Sequence, residues 1–175
     1  MAKLRKMLTD INAHYLQSIM RLVETQSNAT ISGWCISYAE VHLLPLWAQE
    51  YPDDGRPAAA LHTARRFLEG ECKLPEVKQG LAECRSAARE SGDRPIAQGA
   101  ARAIDSAVAS IHNPSGCIGI ALYGALTLAY SRAGTDAPWE ELEALAAMEC
   151  ARMEEALRAV AITDEPNPAK IKWNC

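Results

Sequence analysis

The sequence predicts an all-α protein, a single-domain irregular helical bundle of about seven helices. Three observations carry that expectation. Alanine occurs 31 times in 175 residues while phenylalanine occurs once, and alanine is both the best helix former and the side chain that lets helices pack closely. Apolar residues recur at three- and four-residue intervals in one segment after another. Finally, residues 51–57, 91–95 and 134–138 share one punctuation, in which a glycine and an acid stop one helix and a proline opens the next. The bundle should occupy residues 1–162, with an irregular tail over 163–175.

Composition narrows the function classes. Apolar residues make up 49% and charged residues 23%, with a formal charge of −4. Such a balance leaves no basic footprint for nucleic acid. The N-terminal residues Lys3, Arg5 and Lys6 precede no apolar stretch of signal-peptide type. The longest apolar run, 117–130, falls short of the roughly 20 residues a membrane span needs. Six cysteines form no Cys-x-x-Cys pair, and four fall inside predicted helices, so we expect reduced, mostly buried thiols and a cytoplasmic protein without a disulfide framework.

Taken in order, Leu4, Leu8, Ile11, Tyr15, Ile19 and Leu22 predict a first helix over about 3–25. Ser27 and Asn28 offer a cap for a second helix over 29–49, with an irregularity at Gly33. Pro45 lies inside it and should kink it near residues 41–44, since its ring removes one hydrogen bond and crowds the carbonyl four residues back. Trp34, Tyr38 and Leu46 are core candidates there, and Trp47 is expected at a rim or interface. A third helix runs 57–69 and stops at Gly70. Val77, Leu81, Cys84 and Ala88 define a fourth; Ile96, Ala100, Ala103, Ala107 and Ile111 define a fifth. The sixth, 117–133, is apolar nearly all round and should be central, with Gly119 and Gly124 admitting close neighbours. The seventh, 139–162, buries Leu142, Ala146, Cys150, Met153, Leu157 and Val160. Its other face carries Glu140, Glu141, Glu143, Glu149, Glu154 and Glu155 to solvent or to a basic partner.

No catalytic or metal motif stands out. There is no phosphate-binding glycine loop, His-Glu-x-x-His or Cys/His metal spacing. Glu40 and His42 are two apart and so point to different faces of a helix. Asp105 and His112 share a face but lie about 10 Å apart along the axis. The densest polar cluster is Asp53, Asp54 and Arg56, which reads as a helix cap with a local ion pair and also as a contact site.

Trp34, Ala39-Glu40, Leu44-Pro45-Leu46, the Tyr51-Pro52-Asp53-Asp54-Gly55-Arg56-Pro57 turn and the alanine-rich helix ending Leu68-Glu69-Gly70-Glu71 resemble bacterial immunity proteins of the immunity-protein-five-like family. Ala100-Ala101-Arg102-Ala103 through His112, and Tyr123-Gly124-Ala125, are similar to its second half. The resemblance covers roughly 30–134. It implies a small all-helical, non-catalytic protein of polymorphic toxin systems, which neutralises a cognate protein toxin by association; with no metal or catalytic motif in the residues, we expect no metal or cofactor. Partner contacts would then fall on Asp53, Asp54, Arg56, Glu140, Glu141 and Glu154. The competing reading is a small-molecule- or metal-binding helical protein with hydrolytic activity, built on Glu40, His42, His62 and His112. A homodimer through the 117–133 helix or Trp139 is the third.

Overall fold

The computed structural model describes residues 3–174. Among these residues it is helical, with no strand. The α-helices are α1 (His14–Val23), α2 (Asn28–Tyr38), α3 (Leu44–Glu50), α4 (Arg56–Leu68), α5 (Leu74–Glu90), α6 (Pro95–Ala109), α7 (Leu126–Ala133) and α8 (Trp139–Val160). A π-helical turn over Ala39–Leu43 joins α2 to α3, and a second, Ile120–Ala125, leads into α7. Counting each joined pair as one rod gives seven rods, as the periodicity predicts.

The kink expected before Pro45 is the π turn at Ala39–Leu43. A wider turn is one way to absorb a residue that cannot donate its hydrogen bond. Gly33, by contrast, leaves α2 uninterrupted. The stop after α4 is a Schellman ending: Gly70 takes φ +76°, Glu71 N–H bonds Arg66 O at 2.8 Å and Gly70 N–H bonds Phe67 O at 3.0 Å.

The helix enclosed on most sides is α6, where ten of fifteen residues are buried. It packs against α2, α3, α4, α5 and α7, and its alanines allow that crowding. The 117–133 segment is also buried, yet it is not one helix: a 3-10 turn, Pro114–Ile118, precedes its π turn and α7. Glycines set its distance from α6. A Cβ on Gly99 would collide with Thr127, and one on Gly119 with Ser106.

Four expectations need correction. Residues 3–13 form no helix but a strap. Asp10 accepts the Asn12 N–H at 3.2 Å in a local turn, and Leu8 N–H bonds Leu122 O at 2.9 Å, so Leu8 is buried and Leu4 half-buried without a helix. Trp47 is not at a rim but 2% exposed; its indole donates to Asp54 O at 2.9 Å while its ring stacks on Tyr51. Glu149 is not on the acidic outer face: it is buried between Arg132 at 2.7 Å and Arg152 at 2.9 Å. Val160, expected inside, is exposed.

Beyond α8 the chain folds back over the α1–α2 turn. Buried Gln26 exchanges hydrogen bonds with the Ile162 backbone, and its carbonyl accepts the Ala169 N–H at 2.8 Å. Glu165 accepts from Ser27 N–H, Ser27 Oγ and Thr30 Oγ1 at 2.7–2.8 Å, capping α2 from outside. The Trp173 indole donates to Glu24 at 2.7 Å.

Candidate partner-binding surface

Along α2, residues Ala29, Gly33 and Ser37 recur at four-residue spacing on one face, and Ala156, Ala159 and Val160 face them from α8. Small side chains on both walls cannot fill the gap between two helices. The result is an open groove of about 570 Å³. Trp34 and Tyr38 line its base, and the Trp34 indole donates to Met153 O at 3.0 Å, locking α2 to α8.

The rim comes from the π turn and α4. His42 lies over Tyr38 with ring centroids 4.3 Å apart. Arg65 reaches across from α4 to Glu40 at 2.6 Å and to Ser37 Oγ at 3.0 Å. The Tyr38 hydroxyl is buried with no hydrogen-bond partner among the described residues; desolvation first, and Glu149 next, push its pKa well up and keep it protonated. Val41 is 64% exposed, and Val160 and Ile162 are each 51% exposed. Together with Met148 on the outer face of α8, these are the large hydrophobic residues left in solvent among the described residues.

Sequence reasoning reached Glu40 and His42 on this rim but missed Gly33, Val41 and Val160. The spacing of small residues on α2 was the available signal for the groove. For Val41 only the wide turn decides exposure.

The other named residues lie elsewhere. Asp54 accepts the Arg56 backbone N–H at 3.1 Å and pairs with its guanidinium at 2.7 Å, while Glu90 at the end of α5 holds the same guanidinium at 2.6 Å. This ties the start of α4 to the end of α5. Glu90, absent from the sequence reading, completes the cluster across 34 residues. Asp53 beside it is exposed, and it has no ion pair or hydrogen bond among the described residues. On α8, Glu140 and Glu141 stand exposed in the first turn, where the helix dipole favours acids. Glu154 is turned inward to Ser18 and is paired with Arg158.

The histidines do not converge. His42 lines the groove, whereas His62 is exposed on α4 outside the groove lining. His112 follows α6 near Asp105; burial first, then Lys78 and Arg85, lowers its pKa. No three His, Cys, Asp or Glu side chains gather in a metal-binding arrangement among the described residues. No helix is long and apolar enough to cross a membrane among the residues searched.

The family described as Imm-5 like putative immunity protein matches residues 21–156. The chain belongs to this family. The match runs beyond the stretch the turn signatures suggest and takes in α8 as far as Ala156, so it covers the α2 wall of the groove and Ala156 of the α8 wall, while Ala159 and Val160 lie just past its end. The strap, the start of α1 and the C-terminal tail lie outside. No curated protein and no solved structure matches the chain significantly.

Proposed function

We propose that this protein acts by binding, and that the α2–α8 groove with the adjoining face of α8 takes a cognate protein toxin and holds it inactive. The observation that carries the reading is the gathering of Val41 and Val160 at one open groove, with Ile162 just beyond the end of α8. Removing apolar area from water is worth about 25 cal/mol per Å² before the costs of association, so a groove of this kind is where a partner side chain gains most. Family membership supplies the class of partner. Polar groups around the groove set orientation: the Arg65–Glu40 pair and His42 at one end, and exposed Glu140 and Glu141 at the far end of α8, where they would steer a basic surface. Glu154 and the Asp54–Arg56 pair hold helices in place beside exposed charges, leaving Asp53 as the free carboxylate of that turn. This assigns the protein a stoichiometric role in the cytoplasm, without turnover.

Gly33→Leu tests it. A Cβ at Gly33 meets nothing within 4 Å, so the new side chain enters the groove without disturbing the core. With the product of a neighbouring toxin gene as partner, where one is found, we expect the wild type to protect cells on co-expression and to form a stoichiometric complex. The variant should keep its thermal midpoint and bind roughly tenfold more weakly or worse. Undiminished affinity in both Gly33→Leu and Val160→Glu would overturn the placement. No complex with the wild type would overturn the function.

A further inference from the structure

Away from the groove residues, the strap, α6 and α7 line a second, smaller pocket of about 200 Å³. Its charged lining is all cationic: Lys3, Arg5 and Lys6 from the strap and Arg102 from α6. That is unusual on a chain of net charge −4. Eight arginines elsewhere are ion-paired. None of these four cations has a carboxylate partner among the described residues, and no described carboxylate lines the pocket. Both arginines are instead held by aromatic faces. The Arg5 guanidinium lies 3.8 Å from the Trp139 ring centroid, and that of Arg102 lies 5.8 Å from Tyr123. An aromatic face positions a guanidinium without neutralising it, and leaves its in-plane N–H fork free.

The backbone adds to this field. Pro95, at the start of α6, lines the pocket. That helix has no capping side chain and no acid in its first turn, so no group within the helix bonds or neutralises its positive end. The wall is fixed: the Tyr130 hydroxyl donates to Arg5 O at 2.8 Å, and Leu8 is bonded to Leu122. We propose that this pocket binds a small anion bearing phosphate groups, with Arg102 and Arg5 as the forked donors and Lys3 and Lys6 as mobile counter-charges. Four cations and a helix terminus neutralise more than one negative charge, which favours a polyphosphate over a single carboxylate, and arginine forks match phosphate oxygens in pairs. The site uses residues apart from the groove and stands independently of the toxin reading.

Titration calorimetry of the full chain with pyrophosphate tests it. We expect one saturable site whose affinity falls as salt rises. Arg102→Gln should weaken it about tenfold and Lys6→Gln a few-fold, with amide resonances of Gly92, Ile96 and Gly99 shifting on titration. Arg102→Lys, which keeps the charge but not the fork, should restore binding only in part, and unchanged circular dichroism would show each variant folded. Absence of saturable binding at millimolar pyrophosphate, binding indifferent to both glutamine substitutions, or shifts confined to another surface would overturn the site. Citrate binding as tightly as pyrophosphate would overturn the assignment to phosphate.

Discussion

Asp54 accepts the Arg56 amide at the start of α4 and grips the Arg56 guanidinium, while Glu90 holds the far side of the same guanidinium. The hydrogen bonds from the Arg56 side chain, and then its backbone N–H, hold the Asp54 carboxyl below its ordinary range. In the unfolded chain that carboxyl titrates near its ordinary value of about 3.9. The folded state thus binds its proton less readily, and the stabilisation is fully present above about pH 4 and fades as pH falls through the lower folded value. We expect the gap in thermal midpoint between the wild type and Asp54→Asn to stay constant from neutral pH down to about pH 5 and to narrow below about pH 4. A gap that widens on acidification would contradict this ion pair. Glu149 illustrates the same scale from inside: a buried carboxylate costs too much to leave alone, and two arginines reach in from solvent to meet it.

Elements meet at distances set by glycine, and the two informative glycines have opposite roles. Gly99 on α6 faces Thr127, and a methyl group there has no room. Gly33 on α2 faces the open groove. Gly99→Ala should therefore destabilise the fold by about 1–3 kcal/mol through overpacking. Gly33→Ala should stabilise it by about 0.5–1 kcal/mol, since alanine loses less backbone entropy in a helix. Urea unfolding of the two variants checks both signs. The turns between elements were largely readable: the Gly70 stop, the Ser27 cap that accepts Thr30 N–H and the proline starts of α4 and α6 follow from local backbone chemistry. The first helix was misread because Leu4, Leu8 and Ile11 keep a helical spacing by coincidence. The Asp10 turn breaks that register, and the buried face of α1 becomes Leu16, Ile19, Met20 and Val23.

At the scale of the molecule, the tail over 161–174 closes the fold by covering the α1–α2 turn. It supplies partners for buried Gln26 and a carboxylate cap for α2. A chain ending after Ala161 would lose that cap and several hydrogen bonds. At about 1 kcal/mol for the cap and a similar amount for each net bond, we expect a loss of about 2–4 kcal/mol. Chemical denaturation of the truncated chain measures it, and undiminished stability would show the tail to be an ornament. The molecule carries an apolar groove between α2 and α8 and a cationic pocket under the strap, and the pocket's Arg5 stacks on Trp139 at the start of α8, beside the acids of that turn.

The sequence by itself determined the helical class and the joints between most helices, because capping, proline placement and helical periodicity act over a few residues and need no partner; the family resemblance rested on residue strings such as the Tyr51–Pro57 turn. It also marked Asp54 and Arg56 as a structural turn. Tertiary structure alone decided which residues meet across long separations: Glu90 with Arg56, Glu149 with Arg132, Arg5 with Trp139, and the small residues of α2 with those of α8. Burial and charge compensation are properties of neighbours in space, and local pattern fixes the helix but not the face it turns to another. That is why the groove with Val41 and Val160 emerged only once the helices were packed.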